Sequence, residues 1–375
     1  MSTQRNPQGA SPAASQGPGT GTFARGRGAG APRSLVTISL ILALVFTVAV
    51  LGGAKILSDR QKYSDVSVGA VDAPDAKATE CSQLVEKAPE KAGKFRKVGI
   101  LEPVPDGTVA YRDTNGTQLT VRCGVTMPDQ YTVISPVSAA EGASWFIAQD
   151  ATPGSTLTTW YTVSGEPTVA VTSEADGDLI EDVVADLSPI LGDVAPSESP
   201  VAPAALPLAD EPVAKDRNEQ TCRSFEESLP AEIAGFRRLS SEELGELMEN
   251  NATAVGGPQA LRDPKLSGLI EQAKRAAEDS LVVYQPEEEG NEPVVVRCGV
   301  AFPESYERGE RLSQIDDVPW FDAPALAQGS TIGHWYAIGH EEVVAVAMPQ
   351  FSSGDVLPTV TKAITESMSK RAERS

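Results

Sequence analysis

Val121-Arg122-Cys123-Gly124-Val125 recurs as Val296-Arg297-Cys298-Gly299-Val300, and that repetition decides how the whole chain is read. Outward from it, Cys123 to Val171 aligns with Cys298 to Val346 without a gap, at a constant offset of 175 residues. Pro128, Tyr131, Trp145-Phe146, Gly154-Ser155-Thr156, Trp160-Tyr161 and Val169-Ala170-Val171 all meet identical partners. Upstream, a second block at an offset of 141 matches Cys81, Pro89 and Phe95-Arg96 to Cys222, Pro230 and Phe236-Arg237. One unit is therefore present twice, and each copy carries one pair of cysteines.

Within a copy the hydrophobic period changes along the chain. A short helical stretch holds the first cysteine, Cys81 to Glu86 or Cys222 to Glu227, and ends near Pro89 or Pro230, because the residue before proline resists the helical conformation. Leu119, Val121, Cys123 and Val125 then alternate with Thr120, Arg122 and Gly124, a period of two that puts the second cysteine on the core face of a strand. Further strands are expected at 108–112, 144–147, 156–163 and 168–172, and in copy two at 281–284, 319–321, 331–338 and 343–347. Apolar residues at helical spacing close each copy, Asp178 to Leu191 in one and Val356 to Arg371 in the other. The expected fold class is α+β: two duplicated domains, each an antiparallel sheet packed by helices with one disulfide, after a single N-terminal transmembrane helix.

Four cysteines allow three pairings, and only Cys81 with Cys123 and Cys222 with Cys298 lets each copy close on itself. Their spacings of 42 and 76 residues lack the close pairs of a metal site, so no metal and no cofactor is expected. The longer spacing in copy two marks an insertion at 240–280, where Ser240-Ser241-Glu242-Glu243 has the form of a capping box and Leu266, Leu269, Ile270, Ala273 and Ala277 form a helical stripe. Two helices are expected there, packed over their own sheet or presented to a partner.

Ser34 to Ala54 is 21 residues without a charge, enough at 1.5 Å per residue to cross a hydrocarbon core of roughly 30 Å. Gly52-Gly53-Ala54 resembles the small-residue end of a cleaved signal, but the preceding 33 residues and the long apolar run favour a retained anchor. Residues 1–33 carry four Arg and no acidic residue, and the cysteine pairs suit an oxidising compartment, so the expected topology is N-terminus inside, both repeats outside. The expected organisation is a disordered cytoplasmic tail at 1–33, the transmembrane helix at 34–57 and a juxtamembrane linker at 58–78. Repeat domain 1 follows at 79–192, a Pro-rich acidic linker at 193–217 and repeat domain 2 at 218–372. Read this way, the linker is an extended, semi-stiff spacer that lets the copies move unless they share an interface. The whole chain has a formal charge of -21, so binding to nucleic acid is disfavoured.

Few residues offer chemistry. All four Trp fall at matched places, Trp145 with Trp320 and Trp160 with Trp335, the last two followed by Tyr161 and Tyr336. Aromatic platforms stack on sugars, so Trp160, Tyr161, Trp335 and Tyr336, with Arg122 and Arg297 as anion clasps, make a candidate ligand face. Core packing of the aromatics and pairing of each Arg with a carboxylate explain the same pattern without a ligand. His334 and His340 occur only in copy two, against Thr159 and Gly165 in copy one, so nothing duplicated depends on them. The Gly154-Ser155-Thr156 and Gly329-Ser330-Thr331 triplets lack the strand, turn and helix of a nucleophile elbow. The acidic runs at Asp176-Gly177-Asp178, Glu287-Glu288-Glu289 and Asp316-Asp317 lack calcium-loop spacing. No catalytic constellation stands out, and an enzyme is not expected.

The N-terminal span, the Cys-x7-Pro spacing, the Arg-Cys-Gly-Val-x2-Pro motif at Arg122 to Pro128 and Arg297 to Pro303, and a Trp followed downstream by Trp-Tyr resemble domain-of-unknown-function family 3515. The resemblance covers about 79–192 and 218–372 as tandem copies, and the insertion departs from it. It implies exported actinobacterial proteins of the cell envelope and carries over no catalytic residue. The expected function is a single-pass, membrane-anchored, extracytoplasmic envelope protein with two non-catalytic binding or scaffolding domains, whose partner is an envelope protein or the cell wall. The alternative is an extracytoplasmic receptor for a glycan, peptide or cation.

Overall fold

The computed structural model describes residues 33–140, 143–150, 152, 154–194, 200–286, 292–323 and 331–371. The tail at 1–32, Glu287-Glu288-Glu289, Gly329-Ser330 and residues 195–199 of the linker lie outside the described residues. The chain divides after Ser58 into two units. The first contains most of helix α1 (Arg33–Lys62). Its stretch Thr37–Ser58 is long and apolar enough to cross a membrane, and Leu40, Ile41, Leu44 and Phe46 are all exposed. A helix satisfies its backbone hydrogen bonds internally, as any segment crossing hydrocarbon must.

The second unit holds both repeats. Each is one eight-stranded antiparallel sheet, and the two sheets have the same strand order. In the first repeat the order is β1 (Lys91–Ala92), β2 (Phe95–Val98), β3 (Thr108–Arg112), β4 (Gln118–Cys123), β8 (Val169–Ser173), β7 (Thr158–Thr162), β6 (Ala143–Gln149), β5 (Ser138–Ala140). The second repeats it as β9 (Glu232–Ile233), β10 (Phe236–Arg238), β11 (Leu281–Pro286), β12 (Val294–Cys298), β16 (Val344–Pro349), β15 (Ile332–Ala337), β14 (Val318–Asp322), β13 (Ser313–Ile315). The duplicated α+β architecture read from the sequence is the observed one. The edge strands β1, β5, β9 and β13 and the neighbouring β2 and β10 were not foreseen, because two to four residues are too few to show a period.

One face of each sheet is covered by a pair of helices. α2 (Thr79–Lys87) and α3 (Gly177–Val194) pack on the first sheet, burying Leu84, Ile180, Val183, Val184 and Leu187 against Val121, Trp145 and Val171. α4 (Glu219–Ser228) and α7 (Ser353–Ser367) do the same for the second, with Phe225, Leu357, Val360 and Ile364 against Val296, Trp320 and Val346. Each disulfide ties the first of these helices to the central strand: Cys81 bonds Cys123 and Cys222 bonds Cys298, with Cα atoms 5.2 and 5.5 Å apart. Those separations lie near the middle of the range that a disulfide spans without backbone movement.

The opposite faces differ. In the second repeat, the insertion forms α5 (Ser241–Gly256) and α6 (Pro264–Asp279), and Leu244, Met248, Ile270 and Ala273 cover Val283, Val295, Ala345 and Tyr336. Ser240 caps α5 through the expected capping box: its hydroxyl accepts from Glu243 N at 3.2 Å, and the Glu243 carboxylate accepts from Ser240 N at 2.8 Å. This apolar cluster does not stop at the repeat boundary. It takes in Val133 and Ile134 of the first repeat and Leu206, Leu208 and Ala209 of the linker, all nearly fully buried.

The linker is therefore not a free spacer over its described residues. Ala204 N donates to Tyr131 O at 2.7 Å, Val133 N to Ala204 O at 3.2 Å and Val201 N to Val163 O at 3.0 Å, all on the first repeat. Ten residues on, Ala214 N donates to Gly299 O at 2.9 Å and Ala301 N to Pro212 O at 2.7 Å, on the second. Burying a leucine contributes about 2 kcal/mol, so Leu206 and Leu208 with these backbone bonds hold the strap in place and the two repeats share an interface. The stretch read as a juxtamembrane linker is docked likewise: Val66 N donates to Gly99 O, Asp75 N to Gly124 O and Thr126 N to Asp72 O.

Candidate functional site

The repeated Arg-Cys-Gly-Val motif turns out to be a strap holder. In the first repeat Arg122 Nη2 donates to Gly69 O at 2.8 Å. In the second, Arg297 Nη1 reaches the carbonyls of Leu208, Glu211 and Ala209 at 2.7, 3.0 and 3.2 Å. Its Nη2 lies 3.6 Å from the Asp279 carboxylate, which Arg217 also grips at 2.6 Å. The glycine after each cysteine has positive φ, +78° at Gly124 and +75° at Gly299, and its bare Cα admits the strap. A Cβ at Gly124 would stand 2.2 Å from Asp75 C. Each strap carries the same four-residue pattern, Pro74-Asp75-Ala76-Lys77 and Pro212-Val213-Ala214-Lys215, the signal in the sequence by which it was findable.

The six residues of the candidate ligand face do not form one surface. Strand alternation sends Trp160 to the α2 and α3 side of its sheet and Trp335 to the α4 and α7 side of its own, with Tyr161 and Tyr336 on the opposite faces. Trp160 is 4% exposed and packs edge-on against Trp145 at 6.5 Å. Trp320 is fully buried and its indole N–H donates to Thr361 Oγ1 at 2.9 Å. Tyr336 donates to the Glu211 carboxylate at 2.8 Å, and burial, with that carboxylate beside it, pushes its phenol up. Tyr336 and Arg297 thus hold the linker together. His334 is cross-strand from Ala347 and His340 bridges to Lys370, so the two histidines are not paired. No group of three His, Cys, Asp or Glu suited to a metal ion occurs among the described residues.

The concave site lies where the repeats meet. A cavity of about 500 Å³ opens between the 131–137 loop of the first repeat, Pro200 to Pro203 of the linker, and α5 with the start of α6. That volume falls in the range of about 300–1,000 Å³ usual for small-molecule sites. Its floor and walls include Tyr131, Val133, Val201, Met248, Ala252 and Val255. Polar wall residues are already engaged with one another: Asn251 Nδ2 donates to Ser135 O at 2.9 Å, and Ser135 Oγ donates to Gln130 O and accepts from Thr132 N, each at 2.9 Å. Gln259, Asp263 and Lys265 are exposed at the rim, where Asp263 caps α6 by accepting from Leu266 N at 2.8 Å. At Gly256 a Cβ would stand 3.3 Å from Pro200, so the end of α5 and the linker meet closely at the cavity edge.

A second polar link crosses the junction. Gln130 Nε2 donates to Thr331 Oγ1 at 2.9 Å, and Thr331 Oγ1 donates to the buried carboxylate of Glu292. Burial pushes the Glu292 carboxyl above the ordinary glutamate range, and the Thr331 bond opposes that shift.

A family model described as protein of unknown function (DUF3515) matches residues 40–200 and 265–372, well over half of the chain. The chain belongs to this family. The first DUF3515 stretch contains the whole first sheet and its disulfide, whereas the second begins inside α6, so the gap between them takes in most of the linker strap, α4 with Cys222, β9, β10 and all of α5. The cavity is thus walled partly by DUF3515 residues, such as 131–137, and partly by residues outside the match. No curated protein and no solved structure matches the chain.

Proposed function

We propose that this DUF3515 protein is a single-pass, membrane-anchored protein of the cell envelope whose two repeats act as one non-catalytic binding body outside the cytoplasm, with the cavity between the repeats as its binding site. The observation that carries the reading is the shared apolar core of the first repeat, the linker and the insertion helices, with the cavity beside it. Two domains joined only for solubility have no need of a buried junction. A site made from both copies and an insertion gives the duplication a use. Two disulfides, one closing each repeat, support an oxidising compartment.

Binding is favoured over catalysis by the lining. Its ionisable acid and base are Asp263 and Lys265, both exposed at the rim, and the Asp263 carboxylate already caps a helix. A glycan platform on the Trp pairs is disfavoured because Trp145, Trp160 and Trp320 are core residues and the half-buried Trp335 packs against the core of its own sheet.

The test is a photocrosslinking amino acid placed at Gln259 in intact cells, with Glu366 as an exposed control far along the chain. Adducts at Gln259 that disappear on filling the cavity by Ala252→Phe, with none at Glu366, are the expected result. Equal adducts at both positions, or none at either, would remove the cavity from the function. Thiol labelling from outside the cell, using cysteine placed at Glu366, checks the topology.

A further inference from the structure

Most of the apolar lining of the cavity is buried, whereas its polar residues Gln259, Asp263 and Lys265 are exposed, and that division narrows its occupant. Resting on the reading of the cavity as the binding site, we infer that it takes one acyl chain of a membrane lipid, with the lipid head at the Gln259–Lys265 rim. Four observations lead there. The interior is lined by Tyr131, Val133, Val201, Met248, Ala252 and Val255, without a charged group among them. The Thr132 and Ser135 hydroxyls bond one another, Ser135 Oγ donates to Gln130 O and Asn251 Nδ2 donates to Ser135 O, so these groups offer little to a polar ligand body. At roughly 30 Å³ per water-sized group, 500 Å³ accommodates on the order of 15 such groups, which suits an aliphatic chain and is too small for a folded partner segment. Finally, the same chain carries a helix able to span a bilayer, which keeps acyl chains at high local concentration wherever the protein resides.

Charge at the rim assigns the head. Lys265 lines the mouth with its ammonium in solvent, while the Asp263 carboxylate is held at the helix start by Leu266 N. A phosphate ester leaving the cavity meets the free lysine and the Gln259 amide at the same edge. A glycan or a charged peptide, whose bulk is polar, would lose hydration against the apolar walls without compensating bonds.

The experiment uses the full chain in lipid nanodiscs doped with a phospholipid whose acyl chain ends in a photoactivatable diazirine. After irradiation, modified peptides are mapped by mass spectrometry. Label is expected at 37–58 from the surrounding bilayer, and also at 131–137 and 248–266 from the cavity. Ala252→Phe and Val255→Phe, two separate fillings of the same space, should each lower the cavity label at least fivefold while leaving the label at 37–58 unchanged. Intact disulfides on non-reducing gels show that the variants fold. Label confined to 37–58, or cavity label indifferent to both fillings, overturns the acyl assignment. Photocrosslinking from Gln259 separates the two levels: adducts to a protein or peptide, without acyl label, overturn the lipid and leave the cavity as a binding site. Loss of both signals overturns both.

Discussion

The guanidinium of Arg297 stands 2.7 Å from the carbonyl oxygen of Leu208, so the second repeat grips the linker by its backbone. Arg122 does the same to Gly69 at 2.8 Å in the first repeat. An arginine next to the bridging cysteine on the central strand can reach across only if the preceding chain is folded back over the sheet. The disulfide and the strap are thus secured at adjacent positions of one motif. Arg297 is the more buried of the two, with three carbonyls and one carboxylate to satisfy it.

Replacing Arg297 leaves those carbonyls without their donor, while Asp279 keeps Arg217, and leaving buried acceptors unsatisfied costs about 1–3 kcal/mol. Arg297→Met is expected to lower stability by about that much and to open residues 200–211 to protease. Arg297→Lys should not restore it, since a single ammonium cannot cover the same set of acceptors. Limited proteolysis followed by mass mapping reads the outcome, and unchanged resistance at 200–211 would contradict the strap.

Gly124→Ala and Gly299→Ala should differ. Both positions have positive φ, which costs an alanine roughly 1–2 kcal/mol. At Gly124 the new methyl meets the Asp75 backbone at 2.2 Å, whereas at Gly299 it meets a side chain, Cδ of the Asp279-bound Arg217, at 2.4 Å. The first substitution is expected to be the more damaging. Urea unfolding followed by tryptophan fluorescence compares them, and α1 does not contribute, because it has no tryptophan.

Removing either disulfide as a paired Cys→Ala change opens a loop of 42 or 76 residues. The chain-entropy model places the loss at about 4 kcal/mol for either loop. Urea titration of the Cys81/Cys123 and Cys222/Cys298 pairs is expected to give similar losses despite the different loop lengths, because the dependence on length is logarithmic.

Ile134 belongs to the first repeat but is buried in the core of the second. Ile134→Ala is expected to cost about 2–4 kcal/mol, and to split one cooperative unfolding transition into two. Scanning calorimetry shows which. A mutant that unfolds in one step at the wild-type temperature would mean the repeats do not depend on each other.

The sign of the pH dependence follows from Glu292. Its carboxyl is raised by burial, so the folded chain holds that proton more tightly than the unfolded one. Stability therefore falls as pH climbs from the ordinary glutamate range through the raised value. Glu292→Gln removes this loss and keeps an acceptor for Thr331. It should melt higher than the wild type at pH 7.5, with the two curves converging below about pH 4. A lower melting temperature for the variant at pH 7.5 would refute it.

Features carried by a local period or by the matched cysteine spacings are legible along the chain. Alternating residues around Cys123 and Cys298 located the central strands, the matched spacings paired the cysteines, and 21 uncharged residues marked the span. The aromatic face failed as a surface because neighbouring residues of a strand point to opposite sides, and only the sheet's two coverings decide which side is solvent. The repeated Pro-x-Ala-Lys pattern marks one end of each strap, but where the strap docks, and the cavity beside it, depend on the packed chain. Leu206 and Leu208 stand in a proline-rich stretch with no period, so nothing local tells a docked apolar residue from a spacer residue. Cavity walls come from 131–137, 200–203 and 248–266, segments far apart in the chain. Their meeting is set by how the second repeat's insertion and the first repeat's loop pack against a shared strap, a long-range contact that no sequence window contains.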